Sequence, residues 1–250
     1  LICERACRAL KRPASDILAV TMPGFGTTDR THDNALTMCR LLGAELREIP
    51  ISECCLRHFG DIGHDPAERT TTYENVQARE RTQILMDLAN KTGGLVVGTG
   101  DLSEIALGWS TYNGDHMSMY AVNCSIPKAL IRCLIELLPP SGDGSIEQRT
   151  EDVLGPYDLH DFFLFHFIKY GAEPDKILYL AEHAFRGEFQ PDFIRRCLGI
   201  FIRRFFRQQF KRSCMPDGPK VGTIALSPRG DWRMPSDACG TVWEKYISHR

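Results

Sequence analysis

Three short stretches hold the side chains with the most chemical reach. Gly98-Thr99-Gly100-Asp101-Leu102-Ser103-Glu104 follows an apolar run directly and leads into a helical pattern. A strand, a small-residue turn and a helix N-terminus can cradle an anion, because unpaired backbone N–H groups and the helix dipole converge there. Thr99 adds a hydroxyl, and Glu104 sets a carboxylate one turn inside the helix. Beside a phosphate, such a carboxylate makes sense with Mg²⁺ between the two. The same residues also spell a plain glycine turn, with Asp101 or Ser103 as N-cap and Glu104 at the positive end of the dipole.

The second stretch, YENVQARERTQ, puts Asn75 and Arg79 at i, i+4 on one polar face, and Gln83 continues it. An Arg fork in that setting can grip a carboxylate or phosphate. A solvated face with Glu80 and Arg81 as surface charges has the same pattern. In the third, Trp109 to Tyr120, aromatic, hydroxyl and acidic residues crowd a glycine-containing turn. Aromatics with a polar handle suit stacking on a nicotinamide or adenine ring; a polar loop with two or three core aromatics would look alike. A fourth segment, residues 195–212, holds six Arg and Lys211 with no acid. Phe193, Ile194, Leu198, Phe201, Ile202, Phe205 and Phe206 give it an apolar face, so it reads as a solvated helix or as a phosphate- or nucleic-acid-binding one.

The first half of the chain alternates strand and helix. Residues 16–22 are an apolar strand running into Pro23-Gly24-Phe25-Gly26; a helix over 31–42 stops at Gly43. Residues 46–51 read as a second strand, and 73–91 as a helix with Val76, Leu85, Leu88 and Ala89 inward. Leu95-Val96-Val97-Gly98 is then expected to be a fully buried strand. Strands separated by helices imply a parallel, doubly wound α/β sheet with ligands beyond the strands' carboxyl ends. In the second half, helices are expected over 126–138, 158–170, 174–185 and 191–210, followed by an extended tail after Cys214. The expected division is a nucleotide-binding α/β part (1–125), a helical part (126–213) and the tail (214–250).

Composition narrows the classes. The 250 residues are 43% hydrophobic and 25% charged, which excludes a disordered or low-complexity chain. A net charge of −2 removes the global case for nucleic acid as partner. No apolar run approaches the length of a membrane-spanning helix, so no membrane is expected. The ten cysteines contain no C-x-x-C pair, and several fall in apolar positions, which reads as reduced thiols in a cytoplasmic protein. The chain opens on Leu1 inside a helical pattern, and is read as part of a longer protein.

Together these segments resemble the synthetase domain of the glutamine-dependent NAD⁺ synthetases. The matching stretches are VTMPGFGTT, TYENVQARERTQILMDLANKTGGLVVGTGDLSE, GWSTYNGDHMSMY, DVLGPYDLHDFF, QQFKRSCMPDGPKVG and LSPRGDWRMPSD, spread over nearly the whole chain. The resemblance implies a Rossmann-like fold of the adenine-nucleotide hydrolase type with a mostly helical C-terminal part. It further implies a carbon–nitrogen ligase that adenylates the nicotinate carboxylate of deamido-NAD⁺ with ATP and Mg²⁺, then amidates it with ammonia from glutamine. By matching positions, Met22, Thr99 and Lys128 fall to ATP and Glu104 to Mg²⁺ and the dinucleotide. Asn75, Arg79, Trp109, Ser110, Thr111, Tyr112, Asp115 and Lys211 fall to deamido-NAD⁺. A homo-oligomer built on a synthetase-domain dimer is implied as well.

Where some relatives carry His-Lys this chain has Phe210-Lys211, so the resemblance carries over only the lysine. The family's SGGxDS phosphate loop and Cys-Glu-Lys glutaminase site do not occur in these 250 residues and are expected upstream of Leu1. Without them the 250 residues alone are expected to turn over poorly. The stretch between Cys133 and Gly142 looks shorter than in the family, whose mobile loop carries a Ser/Thr-Pro-Glu segment there. The competing expectations are another ATP pyrophosphatase ligase, such as GMP synthetase, and a non-enzymatic RNA-binding module using the basic helix 195–212.

Overall fold

A computed structural model describes residues 1–136 and 149–248. Among them the elements run α1 (Ile2–Ala9), β1 (Leu18–Thr21), α2 (Asp29–Leu42), β2 (Glu45–Glu48), α3 (Ser52–Ile62), α4 (Thr71–Thr92), β3 (Val97–Gly98) and α5 (Leu102–Leu107). They continue with β4 (Tyr120–Ala121), α6 (Lys128–Glu136), α7 (Arg149–Leu154), α8 (Tyr157–Tyr170), α9 (Pro174–Ala184), α10 (Pro191–Arg207), α11 (Gln209–Arg212) and α12 (Thr241–Ser248). The chain forms two compact units: residues 1–96 with 111–117, and residues 97–110 with 118–250.

In the first unit β1 pairs with β2 in parallel, Leu18 opposite Glu45 through Thr21 opposite Glu48. Parallel neighbours need a crossover, and α2 supplies it. Gly43, at φ +70°, ends α2 in the left-handed conformation that a side chain would resist. Ile51, Cys55, Phe59, Tyr73 and Val76 form this unit's core, with Met22 and Ile84 packed against it. The spacing Ile51, Cys55, Phe59 is i, i+4, i+8, so α3 has a helical signal in the sequence. That signal is hidden by Cys54 and by Leu56, which is exposed.

In the second unit β3 pairs with β4 in parallel through Val97–Tyr120 and Gly98–Ala121. The core is aromatic and lies among α5, α8, α9 and α10. Phe167 stands at the centre, its ring 5.1 Å from Phe205, 5.1 Å from Trp243 and 5.8 Å from Trp232.

Three expectations need correction. The 95–98 run is not a fully buried strand: Leu95 is 59% exposed, and among the described residues only Val97 and Gly98 pair, on one side, with β4. Apolarity marked a strand end there rather than its interior. The tail is not wholly extended, because α12 forms at residues 241–248, with Trp243 and Ile247 packed on the core. Helix 191–210 breaks at Gln208 into α10 and α11. The shortened stretch expected between Cys133 and Gly142 falls largely outside the described residues.

Candidate functional site

The strongest cluster of ionisable groups is at the start of α5. Asp101, only 1% exposed, is the N-cap: its carboxylate accepts the Glu104 N–H at 2.9 Å, while Glu104 Oε2 accepts the Asp101 N–H at 3.3 Å. This reciprocal cap satisfies two of the helix's orphan donors. Glu104 Oε1 also takes a bond from Lys128 Nζ at 2.7 Å, and the same ammonium pairs with Asp101. The Lys128 backbone N–H donates to Ser103 Oγ at 2.8 Å, and Ser103 donates in turn to Asp161, which also accepts the Ala129 N–H at 3.0 Å.

Burial pushes the Glu104 carboxyl above its ordinary range, Asp101 repels it further, and Lys128 offsets part of both. Burial would lower the Lys128 ammonium, but Asp101 and Glu104 together raise it above its ordinary value. Two adjacent carboxylates therefore share one cation. Excess negative charge held in place this way draws a further cation. Among the described residues no three His, Cys, Asp or Glu groups form a metal cage. Magnesium bound through one or two carboxylates and a substrate's phosphates needs none. The partly exposed Glu104 suits that mode, while Asp101, buried and engaged by Lys128 and the Glu104 N–H, supports it from beneath.

Beyond α5 the chain turns at Gly108, φ +60°, against which the Gln208 side chain packs so closely that a Cβ would collide. Trp109 and Ser110 follow. Lys211 Nζ donates to the carbonyls of Gly108 (2.8 Å) and Ser110 (2.5 Å), and Arg204 lies 5.2 Å over the Trp109 ring.

The first unit holds the other candidates, all served by α4. Thr111 Oγ1 donates to Asn75 Oδ1 at 2.8 Å, and Arg79 donates to the Tyr112 carbonyl at 3.2 Å. Asp115 accepts the Thr111 N–H at 2.6 Å, which closes the 111–117 turn, and Tyr112 stacks on His116 at 6.1 Å. A second i, i+4 pair serves the end of β1. Buried Gln77 accepts the Phe25 N–H at 3.2 Å, and Arg81 donates to the Met22 carbonyl at 3.2 Å.

Within the second unit, then, Glu104 meets Lys128, and Lys211 meets Ser110 next to Trp109. Within the first, Asn75, Arg79, Thr111, Tyr112 and Asp115 form one network. No hydrogen bond joins Met22 or Thr99 to another candidate among the described residues. Sequence reasoning passed over Asp161, Ser103, Gln77 and Arg81 as functional groups. Only Gln77 and Arg81 had a signal, since they repeat the Asn75–Arg79 spacing two residues on.

Asp161 and its neighbour His160 carry opposite pH signatures. Burial pushes Asp161 up to about 6 from 3.8, and His160 down to about 4 from 6.5. His160 Nε2 donates to the Leu154 carbonyl at 2.8 Å, and its Nδ1 finds no partner among the described residues. As pH falls from 6.5 to 4, the unfolded chain protonates His160 and the folded one does not, so stability falls. As pH rises from 3.8 to 6, the unfolded chain ionises Asp161 and the folded one does not, so stability falls in that direction too. In urea titrations over this range, Asp161→Asn should therefore show stability rising with pH and His160→Asn should show it falling. Parallel slopes in the two variants would contradict the assignment.

Comparison with known proteins bears on this arrangement. The family model described as NAD synthase matches residues 2–185. The glutamine-dependent NAD(+) synthetase of Mycobacterium leprae (strain TN) is 42% identical over 294 residues, covering 97% of this chain and 43% of the relative. That of Mycobacterium bovis (strain ATCC BAA-935 / AF2122/97) is 43% identical over 281 residues, covering 93% and 41%. The chain thus spans about two-fifths of the length of the curated relatives it matches. Both alignments are longer than the chain itself, so these relatives carry internal residues with no counterpart here.

A crystal structure of a glutamine-dependent NAD(+) synthetase from Cytophaga hutchinsonii superposes with a TM-score of 0.80 at 20% identity, over 97% of this chain and 42% of that one. This shows the fold to be the Rossmann-like α/β type of the NAD synthetases. The match of the family model over most of the chain settles membership: the chain belongs to the NAD synthase family.

Proposed function

We propose that this chain is the synthetase part of an enzyme that converts deamido-NAD⁺ to NAD⁺, using ATP and ammonia released from glutamine. The observation that carries the reading is the Asp101–Glu104–Lys128 cluster at the end of β3, in a chain of the NAD synthase family. A carboxylate resists nucleophiles because its charge is delocalised and oxide is a poor leaving group. Transfer of AMP from ATP to the nicotinate oxygen releases pyrophosphate and leaves an acyl-adenylate. Ammonia then attacks the acyl carbon, AMP departs with the C–O electron pair, and the amide loses a proton. Such chemistry rests on positioning and charge neutralisation more than on a side-chain nucleophile.

In this reading Lys128 and Thr99 face the ATP phosphates, and the Met22 end of β1 meets the adenine. Glu104, with Asp101 beside it, would hold Mg²⁺, which when bound neutralises phosphate charge. Asn75, Arg79, Trp109, Ser110, Thr111, Tyr112, Asp115 and Lys211 bind deamido-NAD⁺, and Glu104 approaches it. The whole protein is read as a cytoplasmic homo-oligomer built on pairs of these domains. The family match weighs against a GMP synthetase. Against an RNA-binding helix stands the use of Arg204, Lys211 and Arg212 on backbone carbonyls. The full-length protein, supplied with ATP, Mg²⁺, ammonia and deamido-NAD⁺, should form NAD⁺, AMP and pyrophosphate in equal amounts. Absence of NAD⁺, or ADP in place of AMP, would refute the proposal.

A further inference from the structure

Arg212 is 1% exposed, yet no carboxylate among the described residues neutralises it. Its guanidinium donates instead to Gln209 Oε1 at 2.8 Å, to the carbonyls of Ile105 (3.2 Å) and Ala106 (2.9 Å), and to the carbonyl of Phe205. Burial draws its pKa down to about 9. Ile105 and Ala106 belong to the last turn of α5, and Phe205 to the last turn of α10. The cation therefore sits on the negative ends of two helix dipoles, which take the place of a counter-ion.

Two more cations extend the pattern. Arg204 Nε donates to the Leu107 carbonyl at 2.8 Å, and Lys211 takes Gly108 and Ser110. Five of the six carbonyls from Ile105 to Ser110 accept from a basic side chain of α10 or α11. Closing the end of a helix needs far less, since one glycine turn or a few waters satisfy the last carbonyls. Three cations on adjacent carbonyls fix both the rotation and the axial position of the segment. The helix they grip has only six residues, too short to absorb a shift by bending. Glu104 stands at one end of it and Trp109–Ser110 at the other.

We infer that Arg204 and Arg212 are positioning residues of the ligase site, which set Trp109–Ser110 against the dinucleotide and α5 against ATP. The inference rests on the function proposed above. It adds a means by which the two substrates' contacts are held in register.

The test uses the full-length protein with ammonia as nitrogen source. In Arg204→Gln the KM for deamido-NAD⁺ should rise about tenfold, as expected for a binding segment loosened by a fraction of an ångström. The KM for ATP should stay within about twofold of the wild-type value, because Glu104 and Lys128 keep their own bonds. Arg204→Lys, which can still donate to the Leu107 carbonyl, should recover most of the loss. Hydrogen exchange at residues 105–110, read by mass spectrometry, should quicken in Arg204→Gln and in Arg212→Lys. A clasp that serves stability alone lowers the melting temperature and the active fraction while leaving both KM values unchanged. That result, or unchanged exchange in both variants, overturns the inference. Wild-type protein that forms no NAD⁺ would instead overturn the ligase reading, so the two failures are told apart.

Discussion

On the ligase reading proposed above, Glu104→Gln in the full-length protein should lower ammonia-dependent NAD⁺ synthesis by about 10²–10³-fold, the usual cost of removing one preorganised electrostatic group from a reacting centre. The substitution isolates charge from structure. A glutamine carbonyl can still accept the Asp101 N–H, so the reciprocal cap of α5 survives. Lys128 keeps Asp101 as its ion-pair partner. Loss of a negative charge at the helix N-terminus costs only about 0.3–1 kcal/mol of stability. Turnover should therefore collapse while the thermal midpoint moves by a few degrees at most. Steady-state kinetics and calorimetry on the same preparation check both halves. Near-normal turnover would remove Glu104 from the reaction, and a collapsed fold would reassign it to structure.

Phe205→Ala should cost about 3–5 kcal/mol, the range for emptying a large aromatic site in a packed core. Phe205 is fully buried, with Phe167 at 5.1 Å, Trp232 at 5.3 Å and Phe201 at 5.6 Å. The Arg212 guanidinium lies 4.3 Å over its ring, so the cavity would open beside a buried cation that has already lost most of its hydration. Total stabilities of about 5–15 kcal/mol leave little margin for such a loss. The urea midpoint should fall sharply, and a shift worth under about 1 kcal/mol would show that the core collapses onto the gap.

Legibility in the sequence followed periodicity. Helix α4 was readable because its apolar positions recur over 22 residues, and the parallel β1–β2 pair was implied by the alternation of strands with helices; β4, two residues inside a polar aromatic stretch, carried no strand signal. The site motifs were readable where chemistry is local. Asp101 and Glu104 lie three residues apart and cap one another, and Asn75 and Arg79 lie four apart on one helix face. What escaped depended on residues far apart in the chain. Asp161 meets Ser103 across 58 positions and Arg212 meets Ala106 across 106, and no spacing rule announces such pairs. The basic stretch misled for the same reason. Its cations look solvated in a helical projection, yet Arg204 and Arg212 are turned onto carbonyls of α5 and Lys211 onto Gly108 and Ser110 just beyond it. Leu95 misled differently, since an apolar residue at the end of a short strand need not lie inside the ladder.

The division of the chain has a consequence for how the protein comes into being. Residues 1–96 are not a finished unit, for Thr111–Met117 belongs with them and supplies the partners of Asn75 and Arg79. Residues 97–110, made in between, belong with chain that follows residue 117. A ribosome delivers these pieces in the order first, second, first, second. The earlier unit therefore cannot complete its contacts until part of the later one has emerged, and that part must wait in turn for its own core. No single cut yields both units whole. A gene split anywhere along this chain would leave at least one half without a segment that its fold requires.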